Sequence, residues 1–377
     1  MLYIFILFIL FLLAYAEGFC AKTSLGIYAK KTIIQVTIVM SFLLACIAAF
    51  RGNIGYDHNN YMSIFDYSIY DQKIEKGYLL LNRFFKVTTN SYYLFQIFSS
   101  FFSSFVIALY IFKNSRYPAF FYFVYFACLI YTNFDLNQQR QHLAVAIVLL
   151  GIIRSNYFRR KKIFFLYTLI ACYFHVASIC CFILPIFSIF FSFKIIYAMF
   201  FFIVFLMITK GGIILNFLQF FSAFAPGRWY YLVNGYIDFY KTHNARNFSV
   251  LGFLLRVFVF LFIIYINYDD LKKKNVDTNN INLKFKINSL MMVLLLTSFS
   301  SFFEMFGRFN EYYNLAGAFL AYETILDSKK VKTLCKHIPT LRFIIILLYF
   351  LFFLLIFYNS WKIPEYRAVF SPFDFFF

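Results

Sequence analysis

From Leu2 to Tyr358 the chain returns repeatedly to long, uninterrupted apolar runs, several of them approaching the ~20 residues that cross a bilayer as a helix. No other feature restricts the fold as much. An apolar share of 63%, with 60 Phe and only 6 Pro, rules out an ordinary soluble domain, whose apolar share is about half. A transmembrane barrel would instead show alternating segments of ~10 residues. The sequence therefore predicts an all-α fold, a polytopic transmembrane helical bundle forming a single integral membrane domain over 1–377.

The length rule gives about twelve spans, near 2–20, 33–50, 92–112, 118–133, 139–153, 163–175, 177–193, 195–209, 250–267, 286–303, 312–326 and 340–358, several short enough to be half-helices. The first run ends in Ala14-Tyr15-Ala16, as a signal peptide would, but no Lys or Arg precedes it and Lys22, Lys30 and Lys31 follow it. It reads as an uncleaved span with its N-terminus outside. The basic clusters Arg159-Arg160-Lys161-Lys162, Lys272-Lys273-Lys274 and Lys329-Lys330 then all fall inside, as the charge bias of membrane loops requires. In a soluble chain a net charge of +19 would suggest nucleic acid; here the charge orients helices, and no nucleic-acid partner is expected. The seven cysteines show no metal-ligand spacing and read as small core residues.

Two longer loops face outside, near 51–91 and 210–249, and long loops are where binding and catalysis concentrate. The first carries Gly55-Tyr56-Asp57-His58-Asn59-Asn60-Tyr61 and then Glu75-Lys76-Gly77-Tyr78. Carboxylates, amides and rings together suit sugars, although Tyr61 and Tyr78 could equally anchor helices at an interface. Between two apolar runs lies the polar stretch Asn133 to His142. Its Arg140 opens a new helix, where guanidinium and helix N-terminus could hold one anion, or where the arginine could simply snorkel.

His175, at an outer turn, is either a structural histidine or a proton carrier. Arg308 is spaced to pair with Glu304 or Glu311, yet the charge parity places it on the same face as Arg140 and His175. Two arginines there could grip a diphosphate bidentately. There is no Walker loop, dinucleotide fingerprint, His-Glu-x-x-His motif or outer Asp-x-Asp pair, so neither metal nor cofactor is expected.

These motifs, in this order, resemble the EpsG-type branch of the bacterial Wzy polysaccharide polymerases. The family's Gly-Thr-Asp-x-x-x-Tyr loop resembles Gly55 to Tyr61, with Tyr56 in place of Thr. Its Glu-x-Gly-Tyr element is similar to Glu75, Gly77 and Tyr78, and its Arg-Gln-x-x-Ala helix start to Arg140, Gln141 and Ala144. Its Phe-His-x-Ser turn resembles Phe174-His175 with Ser178 one place later, and its Arg-Phe-x-x-Tyr element resembles Arg308, Phe309 and Tyr312. The resemblance implies a GT-C-like glycosyltransferase architecture in the bacterial inner membrane, with the active face outside the cytoplasm. It also implies transfer of a glycan from undecaprenyl diphosphate to the non-reducing end of another lipid-linked repeat, alongside a flippase and a chain-length regulator.

On this resemblance Arg140, Arg308, Tyr61, Tyr78, Gln141 and Tyr312 would bind substrate. His175, Asp57 and Glu75 are candidates for the general base, and the sequence does not choose among them. A flippase or other transporter is the alternative from another class, but it should carry midplane charges and repeated halves. A membrane O-acyltransferase is a third reading.

Overall fold

The structure is a computed structural model that describes residues 2–19, 24–52, 55, 57–67, 74–128, 131, 137–189, 193–208, 250–272, 278–300 and 305–328. Shorter stretches within 216–238 and 330–358 are also described. Most of the 210–249 loop, the segment 132–136, Tyr56 and Glu304 lie outside the described residues, and so does much of the 340–358 span. Every regular element among the described residues is helical, as the apolar runs predict. Among the described residues three helices are long and apolar enough to cross a membrane: Tyr28–Ala49, Tyr92–Asn114 and Asn282–Ser300. The chain divides into two compact units, one of Met1–Phe182 with Leu326–Phe377, the other of Ile183–Ile325.

The first unit holds α1 (Leu2–Phe19), α2 (Ser24–Ala49), α3 (His58–Tyr67), α4 (Lys76–Thr88), α5 (Tyr92–Asn114), α6 (Pro118–Ala127), α7 (Gln139–Arg154) and α8 (Lys161–Phe174). Helix α7 is apolar around its whole circumference from Leu143 to Leu149 and is buried there on every side, the mark of a central helix. It packs between α5 and α8. Its contact with α8 is close because Gly151 has no Cβ: one added there would lie 2.7 Å from Tyr167 Cβ. The two helices form an antiparallel hairpin, so Arg140 and His175 share one end and the Arg159–Lys162 cluster occupies the other.

The loop expected over 51–91 contains two helices. Gly55 takes a positive φ of 117° and its carbonyl accepts from His58, turning the chain into α3. The Asp57 carbonyl then accepts the first helical bond, from Tyr61. Helix α4 turns Tyr78, Leu79 and Asn82 inward, and the Lys86 ammonium donates to the Asp66 carbonyl of α3. Tyr61, Ile64, Phe65, Tyr78, Leu79, Tyr92, Phe95 and Leu143 close a core beneath both helices.

Two expected spans come out shorter. The described helix over 118–133 is Pro118–Ala127, ~15 Å at 1.5 Å per residue against a ~30 Å hydrocarbon layer. Over 177–193 the chain forms a 3-10 helix, Val176–Ile183, and then a single turn, Leu184–Phe187. Pro185 explains the second case. It offers no N–H and its ring clashes with the carbonyl four residues back, which kinks or breaks an α-helix, and it sits in the first turn of the new one.

The second unit contains α9 (Phe193–Ile208), α10 (Val250–Lys272), α11 (Thr278–Ser300), α12 (Met305–Tyr313) and most of α13 (Phe319–Asp327), with a π-helical turn, Asn314–Ala318, joining the last two. Helices α11 and α12–α13 pair antiparallel. Asn310 donates to Thr297 at 2.9 Å near one end of the pair, and Lys286 meets Glu323 at 2.7 Å near the other. Between them Gly317 lies so close to the Ser289 side chain that no Cβ would fit. Arg308 and Lys286 therefore stand at opposite ends of this hairpin.

Candidate functional site

The site begins with a glycine. A Cβ on Gly77 would lie 2.7 Å from both the Tyr173 carbonyl oxygen and a Tyr173 ring carbon, so only glycine lets the first turn of α4 rest on the last turn of α8. Glu75, the N-cap of α4, is brought by that contact to the chain just past α8. His175 is there, with extended backbone and its N–H bonded to the Ala171 carbonyl at 2.8 Å. Its Nδ1 stands 3.5 Å from Glu75 Oε1, an ion-pair distance longer than a good hydrogen bond.

The other carboxylate oxygen of Glu75 accepts from Arg140 at 2.8 Å, with the two side chains 8% and 22% exposed. The guanidinium lies over the rings of Tyr61 and Tyr78, at 5.9 and 6.0 Å from their centroids, within the reach of a cation–π attraction. Burial, the largest single influence on the Glu75 carboxyl, pushes its pKa up. The His175 contact and the Arg140 charge together outweigh that push and hold it near 2, against an ordinary 4.5. Glu75 is thus ionised at any physiological pH.

Of the residues read from the sequence, Glu75, His175, Arg140, Tyr61 and Tyr78 come together in the first unit. Both tyrosine rings are buried against the guanidinium. Asp57 opens α3, and its charge acts on Tyr61. Gln141 is buried in the first turn of α7. Arg308 and Tyr312 belong to the second unit. Arg308 is exposed on α12, its charge acting on the buried Glu311, and Tyr312 is buried.

Gln139 belongs to none of the motifs in the sequence. Its side-chain carbonyl accepts from Tyr78 at 3.0 Å and from Tyr92 at 3.5 Å, and its amide nitrogen donates to Ser99 at 2.6 Å. The one available signal was an amide inside a polar interruption at the start of an apolar helix. Its partners lie 40 to 61 residues upstream, where no local pattern points to them.

Among the described residues no group of three His, Cys, Asp or Glu side chains is placed to hold a metal ion. What the cluster offers is a permanently charged planar donor in a fixed orientation, beside a carboxylate–histidine pair. No curated protein and no solved structure matches the chain. Residues 33–368 match the EpsG family. With its long apolar helices, the chain is a membrane protein that belongs to the EpsG family, a membership that suggests a polysaccharide polymerase-like, glycosyltransferase-like function.

Proposed function

We propose that this protein is a polysaccharide polymerase that moves a glycan from undecaprenyl diphosphate to the non-reducing end of a second lipid-linked repeat. On this reading it is one integral domain of about twelve spans with a GT-C-like architecture. It acts at the outer face of the bacterial inner membrane, supplied by a flippase and tuned by a chain-length regulator. The observation that carries the reading is the Glu75–Arg140–His175 cluster at one end of the α7–α8 hairpin.

In the proposed reaction an acceptor hydroxyl oxygen attacks the anomeric carbon of the donor. The bond from that carbon to the diphosphate oxygen breaks, and the diphosphate departs with the electron pair. Arg140 compensates the charge that develops on the leaving group, and a donor already fixed in place does so without reorganisation. Arg308 is a second candidate for diphosphate binding, on the sequence alone. A general base works best with a pKa near the operating pH, so a carboxyl held near 2 is a poor proton acceptor. His175 is the better base, and Glu75 orients it through Nδ1 so that Nε2 takes the hydroxyl proton. Asp57 remains an alternative base, with its backbone already committed to the start of α3. The loop and helix residues around Tyr61, Tyr78 and Gln141 shape the substrate-binding wall, and Tyr312 is a further substrate-binding candidate on the sequence alone.

Arg140→Lys tests the reading. Lysine keeps the charge but loses the fork, and charge-assisted hydrogen bonds contribute about 1.5–3 kcal/mol each. Purified protein elongating a defined lipid-linked repeat should lose roughly 10- to 100-fold in kcat/KM. Elongation at the wild-type rate would rule out the diphosphate role.

A further inference from the structure

Helix α7 starts without the usual device for starting a helix. Its N-cap, Gln138, makes no side-chain cap bond, so the first turn, which carries Arg140, has to be held in some other way. Two successive side chains of that turn are tied to neighbouring helices. Gln139 binds Tyr78 of α4 and both Tyr92 and Ser99 of α5, and Arg140 binds Glu75 at the N-cap of α4.

We propose that Gln139 is the positioning residue for Arg140: its amide locks the register of α7 against α4 and α5, and so sets where the neighbouring guanidinium can reach. A single tie between two helices leaves a hinge, whereas two ties on consecutive residues fix both rotation and slide. Consecutive residues on a helix point ~100° apart, so the two ties cannot be satisfied together in any other register. Gln139 is almost fully buried, and an amide removed from water holds on to its partners. Tyr78 belongs to both ties, giving its hydroxyl to Gln139 and its ring face to Arg140. A change at Gln139 therefore moves the ring as well as the helix.

The inference rests on the diphosphate reading of Arg140, and the experiment separates the two. Binding of undecaprenyl diphosphate to full-length protein in nanodiscs is measured for the wild type, Gln139→Met, Arg140→Ala and the double variant. Hydrogen exchange is followed in the peptide that opens α7. Gln139→Met should weaken binding about 10-fold, the size of one lost polar tie. It should add nothing when Arg140 is already alanine, because a residue acting through Arg140 has nothing left to position. Exchange at the start of α7 should quicken in Gln139→Met while α8 is unchanged.

Wild-type binding by Gln139→Met, losses that multiply in the double variant, or unchanged exchange would each overturn the positioning role. Normal binding by Arg140→Ala would overturn the diphosphate reading instead, and the exchange measurement would still decide whether Gln139 anchors the helix. Should Gln139→Met not fold, Tyr78→Phe removes one spoke while keeping the ring. It should show the same non-additivity with Arg140→Ala, and multiplying losses would again refute the inference.

Discussion

Arg140 and Arg308 carry the same guanidinium near a helix start, and the protein holds them in opposite ways. Arg140 has a carboxylate at 2.8 Å and two tyrosine rings across its faces. Arg308 stands exposed on α12, its charge acting on the buried Glu311. An arginine side chain carries about 2 kcal/mol of rotamer entropy. Folding has already removed much of that freedom from Arg140, whereas the more exposed Arg308 keeps more of it, and water and salt screen its charge. On the proposed reading, orientation thus resides in Arg140, and Arg308 adds charge.

The largest effect expected from this contrast comes from removing the carboxylate that makes it. Glu75→Gln takes away the charge facing both Arg140 and His175. The drop in the Glu75 pKa from 4.5 to about 2 corresponds to about 3 kcal/mol at ~1.4 kcal/mol per pKa unit. A similar loss of stability is expected, read as a lower melting temperature in detergent, together with a fall in kcat. The pH dependence has a definite sign. Because the folded-state pKa is depressed, the contribution is complete above pH 4.5 and is lost as pH falls from there through about 2. The wild type should lose stability in that window, and Glu75→Gln should lack that limb. An acid limb unchanged in Glu75→Gln would mean that the carboxylate is not what holds Arg140.

A pair of glycines sharpens the comparison at the next level down. Gly77 lies beneath the Arg140 cluster, and an added Cβ would meet the Tyr173 backbone at 2.7 Å. Backbone cannot swing aside as a side-chain tip can, so α4 must retreat and carry Glu75 away from His175. Overpacking of this kind costs about 1–3 kcal/mol. Gly307 precedes Arg308, and among the described residues its Cβ would meet only Ser300 Cβ, at 3.7 Å, an ordinary contact. Gly77→Ala should depress kcat and melting temperature, while Gly307→Ala should leave both unchanged or raise stability slightly through helix propensity. Equal effects from the two would remove the distinction between a built cluster and an open helix face.

The helical fold was legible because run length and composition leave a membrane chain few options. The ends of runs were less legible. Pro185 stopped the 177–193 helix for a local reason that could have been read, whereas α3 and α4 lay inside what looked like a loop because they are short and half polar. At the site, Glu75, Arg140 and His175 stood out as charged or titratable groups among apolar neighbours. Their mutual contacts were not legible, since they join residues 65 apart or more. Gln139 was hidden for the opposite reason: among the amides of its own segment it looked like any other, and only its buried partners on α4 and α5 distinguish it.

Arg308 should give the smallest effect, and the one that depends most on the solution. An exposed charge typically contributes only a few tenths to one kcal/mol, so Arg308→Ala should raise KM for the lipid-linked donor by no more than about 5-fold and leave the melting temperature unchanged. Arg308→Lys should restore nearly all of the loss, because a screened charge has no fixed geometry to forfeit, whereas Arg140→Lys should not be tolerated. Salt separates the two further. Raising ionic strength from 0.1 M to 1 M shortens the screening length from about 10 Å to about 3 Å, which should erase the difference between Arg308→Ala and wild type. The Arg140 penalty should persist, since its partners are in contact and largely shielded from ions. An Arg308→Lys penalty as large and as salt-resistant as that of Arg140→Lys would show that exposure had misled the comparison, and that both guanidiniums are held by the substrate with the same precision.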